Sequence, residues 1–150
     1  MLKNLEKLRF DSLIPCKKNI EFTNIPSQYD CFLGYTDGGR VENATILIDL
    51  QTEVIIEYLD VFMSFEQLIS NEYLLGYLNY LESDEYLMCR NIIDTYKVFC
   101  STMSPNTFFA FRIKEETEND VYFLDFNEYP FEVYHVFQDF QTFMDKISVK

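Results

Sequence analysis

The chain of 150 residues contains no tryptophan and a single histidine, and its 12 lysines and arginines are outnumbered by 25 aspartates and glutamates. Each scarcity excludes something. A net charge of −13, with basic residues scattered instead of striped between aromatics, repels nucleic acid and anionic membrane and attracts basic surfaces. No apolar run approaches the roughly 18 residues that read as a membrane span. The N-terminus mixes Lys3, Glu6 and Lys7 among its leucines and lacks the uninterrupted apolar core of a secretory signal. The four cysteines, Cys16, Cys31, Cys89 and Cys100, form no Cys-x-x-Cys pair, and one histidine cannot complete a zinc site with them. Free, partly buried thiols in a reducing cytoplasm are expected. The four glycines fall in no Gly-x-Ser-x-Gly, Walker or Gly-x-Gly-x-x-Gly pattern, so acyl-transfer and nucleotide-binding signatures are missing.

What the chain does have is apolar mass: 48% hydrophobic residues, with 15 Phe and 11 Tyr. A chain of this length and composition is expected to form one domain with a dense aromatic core. Leu2, Leu5 and Leu8 recur at three-residue steps and predict a first helix over about 2–10, followed by a connector to residue 24. Residues 45–50 and 53–58 predict two strands joined at Gln51-Thr52. Ser64-Phe65-Glu66-Gln67 fits a capping box, so a helix should start there. Residues 72–82 predict helix again, with Gly76 as its weak point. Residues 86–100 read as strand pair or helix and strand, with strand favoured for 96–100. Residues 107–113 and 120–126 flank a polar tip and predict a hairpin, and a further strand over 131–136 precedes a helix capped by Asp139. Helices at both ends with strands between them give an α+β fold, a largely antiparallel sheet with helices packed on one side.

The stretch from Ile25 to Gly39 organises the rest. Pro26 suits a helix start. Tyr29, Phe32 and Leu33 then lie on one helical face, Gly34 can stop the helix, and Asp37-Gly38-Gly39 signals a turn. Ile25, Pro26, Tyr29, Phe32, Leu33, Gly38 and Gly39 in this order resemble the signature of the SUKH superfamily, with Asp37 where that family usually has Asn. Val121-Tyr122 and the helix bearing Phe140, Phe143, Met144 and Ile147 extend the resemblance towards the C-terminus, Asp139 replacing a Ser. Residues 70–106 carry no matching pattern. The resemblance implies a non-catalytic immunity protein that binds and neutralises a cognate bacterial toxin, commonly a nuclease or deaminase. It also implies an alternative, a regulatory or scaffold module of the fungal type.

Chemistry adds little to compete with these readings. His135 lies in an alternating run with Val133 and Phe137, which points to a core or half-buried histidine instead of a general base. Glu115, Glu116, Glu118 and Asp120 lack the glycine of a calcium loop, so a solvated hairpin tip is expected, and no catalytic, cofactor or metal residue is assigned. The expected partner is a toxin with a basic surface, met by Asp37, Glu115, Glu116, Glu118 and Asp120, with the protein itself a monomer or weak dimer.

Overall fold

The computed structural model describes residues 2–14, 25–113 and 117–150, the side chains of 117 and 118 excepted. Among these residues five α-helices, α1 (Ser27–Tyr35), α2 (Phe65–Ser70), α3 (Glu72–Leu78), α4 (Ser83–Thr95) and α5 (Phe140–Lys146), accompany eight strands. The strands are β1 (Gly39–Arg40), β2 (Ala44–Asp49), β3 (Val54–Phe62), β4 (Tyr96–Thr102), β5 (Thr107–Ile113), β6 (Thr117–Asp125), β7 (Glu132–Phe137) and β8 (Ser148–Val149). They form one sheet in the order β7-β6-β5-β4-β3-β2-β8, with β1 on β3. Every pairing is antiparallel. Register shifts interrupt the ladders at β3–β4, β4–β5, β5–β6 and β6–β7. Each such bulge adds local twist, and the sheet curls until the β2–β3 turn, residues 49–52, lines one opening with Val133, Tyr134 and His135 of β7.

The curl encloses an aromatic centre. Tyr29 of α1 is fully buried and its ring lies 5.0–5.6 Å from those of Phe32, Phe99, Phe111 and Phe140. Its hydroxyl donates to the Met63 carbonyl at 2.6 Å, which satisfies the one polar atom it takes inside. Phe99 stacks on Phe111 at 4.3 Å, and Phe143 of α5 meets Phe99 and Phe109. This inner face of the sheet is therefore covered by α1 and α5.

The expected one-sided placing of helices holds for α1 and α5 but not for α3. Phe108 alternates with Phe109 along β5 and so points to the outer face, where Tyr73 and Tyr77 of α3 pack against it at 6.2 and 5.9 Å. Both faces of β5 are apolar, so both are covered.

Several boundaries also moved. The first helix is a single 3₁₀ turn, Leu5–Lys7, although Leu2 and Leu8 are buried as a helix would have buried them. Gly34 lies inside α1, which ends at Tyr35 with Thr36 as its C-cap. The capping box is present, Ser64 accepting from Gln67 N–H and Gln67 from Ser64 N–H. The next helix breaks at Asn71 rather than at Gly76. Asn71 sits at φ 54°, donates to the Tyr96 carbonyl at 2.7 Å and accepts from Val98 N–H at 3.1 Å, so it fastens the α2–α3 junction to β4. The ambiguous segment resolves into α4 followed by β4. Asp139 caps α5 through Thr142 N–H at 2.7 Å.

Candidate protein-interaction surface

The signature turn has a local reason. Gly38 has φ 76°, and a Cβ there would stand 2.6 Å from the Phe62 carbonyl oxygen and the Ser64 nitrogen. Only glycine fits. Asp37 beside it accepts a hydrogen bond from Phe65 N–H at 2.7 Å, at the start of α2, where backbone N–H groups have no partner within the helix. Asp37, expected to meet a partner, thus holds the turn against α2, and it lines an open groove with Ser64, Gln67 and Glu72.

Asp120 stands elsewhere, on the outer face of β6, its Oδ2 2.7 Å from Nε2 of His135 on β7. Of the two places expected for His135, the core is excluded: it lies on the outer face with 49% of its side chain open to solvent. The cause is the bulge: Tyr122 pairs with His135 but Val121 pairs with Phe137, so one extra residue on β7 sends Phe137 inward to Phe143 and leaves His135 outside. Tyr122 meets the His135 ring at 5.1 Å and the Tyr96 ring at 5.1 Å. Tyr96 and Tyr122 belong to strands separated by β5, Tyr96 opposite Arg112 and Tyr122 opposite Ala110, so the rings meet diagonally across that strand. Glu115 and Glu116 lie outside the described residues. Glu118 belongs to β6. Of the expected carboxylates whose side chains are described, Asp37 is bonded at the start of α2 and Asp120 at His135 of β7.

A second part of the outer face escaped the sequence reading. Leu47 of β2 is 57% exposed, and Val54, Ile56 and Tyr58 of β3 are 58%, 62% and 47% exposed. Leu47 pairs directly with Ile56, Thr45 with Tyr58 and Asp49 with Val54, so these side chains share one face. Met103, 59% exposed, follows β4, and its N–H bonds the Tyr58 carbonyl. No α-helix among the described residues covers this patch. The signal was present as the lack of alternation: residues 45–50 and 53–58 are apolar at outward as well as inward positions. Residues 44–62 also carry Asp49, Glu53, Glu57 and Asp60 and no Lys, Arg or His.

The two parts are continuous. Asp49, at the end of the apolar patch, and His135, bonded to Asp120, line the same opening between the β2–β3 turn and β7. Tyrosines, a histidine and exposed aliphatics ringed by carboxylates make a surface suited to another protein. Among the described residues no group of three or more His, Cys, Asp or Glu could hold a metal ion. The described thiols are free; burial pushes those of Cys89 and Cys100 up, away from the reactive thiolate. No helix among the described residues is long and apolar enough to cross a membrane.

A mixed α+β domain with a curled antiparallel sheet and a buried Pro-Tyr-Phe-Leu, Gly-Gly frame defines a class before it defines a partner. The chain belongs to the SMI1/KNR4 family (SUKH-1), whose family model matches residues 19–146. Proteins of this family are generally non-catalytic immunity or regulatory proteins, and their partners include toxins. Comparison with curated proteins and with solved structures gives no significant match.

Proposed function

We propose that this protein is a cytoplasmic immunity protein that binds and neutralises a cognate bacterial toxin, a nuclease or deaminase with a basic active-site surface, without catalysis of its own. The observation that carries this reading is the charge of −13 on a family frame that serves immunity and regulation. A toxin acting on nucleic acid presents a basic substrate channel. An acidic partner is steered to such a channel and occludes it. Asp120, with Glu115, Glu116 and Glu118 of the same hairpin, supplies carboxylates for the contact, and Asp37 adds one more beside α2.

Co-expression with the toxin encoded beside the gene tests the reading. Host growth should be restored, and the purified pair should associate with a rate that falls steeply as ionic strength rises. Absence of both binding and protection would overturn it. Capture of many unrelated host proteins with no toxin among them would favour the regulatory alternative instead.

A further inference from the structure

We infer that the outer face of the β2–β3 hairpin, centred on Leu47 and Ile56, is the apolar heart of the partner interface, and that its occupant is a protein whose apolar patch is ringed by lysines and arginines. The inference rests on the toxin reading and adds to it a surface and a contact chemistry. Four exposed apolar side chains, Leu47, Val54, Ile56 and Tyr58, share one face of β2 and β3, and exposed Met103, just after β4, bonds the Tyr58 carbonyl through its N–H. Contiguous apolar surface beyond roughly a few hundred Å² is uncommon on a monomer and marks interaction sites.

Charge selects the occupant. Asp49 shares the outer face, and Glu53 stands exposed at the turn, with no cation anywhere in residues 44–62. Asp60 is matched by Arg40 of β1 at 3.4 Å, and Glu57 faces inward. Asp49 and Glu53 therefore put carboxylates at the turn end of the patch, while Lys150, after β8, stands beside the opposite end of β2. Two copies of a −13 chain placed rim to rim would repel, whereas a basic rim would be attracted. The shared opening at Asp49 places the Asp120–His135 pair beside this end of the patch.

The test uses the full chain and the toxin encoded beside its gene. Leu47→Asp and Ile56→Asp alter exposed side chains and should leave the circular dichroism and melting temperature close to wild type. Each should weaken toxin binding by at least about 30-fold, as loss of a hot-spot residue does, and should abolish protection. Asp49→Lys with Glu53→Lys should slow association by about tenfold and flatten its salt dependence. Cys31→Asp, exposed on α1 across the sheet, should bind as wild type does.

If wild type binds and the two aspartate variants bind equally well, the surface is overturned while the toxin reading stands. If Cys31→Asp weakens binding as much as they do, the surface is overturned too. Sedimentation showing a dimer that Ile56→Asp converts to monomer would put a second copy on the patch and overturn the basic occupant. If wild type neither binds nor protects, the toxin reading fails and the inference falls with it.

Discussion

Asp37 Oδ1 accepts the N–H of Phe65 at 2.7 Å, which joins the turn after α1 to the first residue of α2. The bond makes Asp37 a cap for a helix that already has a capping box from Ser64. Asp37→Ala should therefore cost about 0.5–2 kcal/mol, while Asp37→Asn, whose amide oxygen can accept the same bond, should cost much less. Gly38→Ala should cost at least ~2 kcal/mol, because it meets both an unfavourable φ and backbone atoms at 2.6 Å. Urea unfolding of the three variants checks the order. An alanine at 38 as stable as wild type would contradict the steric account.

Tyr29 has a different sensitivity. Its ring fills the centre of the core, and its hydroxyl reaches the Met63 carbonyl at 2.6 Å and lies 3.3 Å from that of Phe99. Tyr29→Phe keeps the ring and removes only the donor, so about 1–2 kcal/mol of stability should be lost through an unsatisfied buried carbonyl. Tyr29→Ala should cost about 3–5 kcal/mol, the range for a large core cavity. Equilibrium denaturation should separate the two by their midpoints.

The helical glycines should behave in the opposite way from Gly38. Gly34 and Gly76 lie within α1 and α3, and an added Cβ at either meets nothing within 4 Å. Gly76→Ala should stabilise the protein by about 0.5–1 kcal/mol. Gly34→Ala should gain less, because it lies one residue from the helix end. Melting temperatures below wild type for both would show that the space around them is occupied.

Two carboxylates should give stability changes of opposite pH dependence. Burial pushes the Glu57 carboxyl above its ordinary 4.5, against hydrogen bonds from Ser104 and Thr102, and Asp125 adds to the rise. The unfolded chain then ionises Glu57 first, so its favourable contribution is complete below about pH 4.5 and is lost as pH rises through the raised value. Glu57→Gln should raise the melting temperature at pH 7 and lose that gain near pH 4. For Asp139 burial pushes upward, but bonds from Thr142 and Gln28 outweigh it and hold the carboxyl below its ordinary 3.8. That contribution is present above the unfolded value and lost as pH falls through the lowered one. Asp139→Ala should cost about 0.5–2 kcal/mol at pH 7, and the cost should shrink below about pH 3.8. Melting curves at pH 3, 4 and 7 read both trends.

What could be read from the sequence was whatever one residue type determines locally. The Tyr29, Phe32, Leu33 stripe, the Ser64–Gln67 box and the Asp139 cap each follow from spacing and side-chain chemistry within a turn. What could not be read depended on a neighbouring strand. A bulge beside Val136 cannot be seen in a run that alternates evenly, so the alternation alone leaves His135 between core and half-buried. Gly76 looked weaker than Asn71 as a helix interior, yet Asn71 has bonds to Tyr96 and Val98 that reward its left-handed conformation. Phe108 and Leu47 are alike as letters. One is covered by Tyr73 and Tyr77 and the other by no helix among the described residues, a difference that lies in where α3 packs.

The buried frame around Tyr29 and Gly38 also bears on how such a chain evolves. Tyr29 and Phe32 stack 5.0 Å apart out of reach of solvent, and Gly38 is pressed against the backbone of residues 62–64. Residues that hold the frame and residues that face outward on β2 and β3 are different sets. On the proposed toxin reading, an opponent that changes its own surface exerts selection on the second set. Leu47, Val54 and Ile56 are exposed and lie outside that frame, so on the same reading specificity can change at them while the frame keeps its geometry.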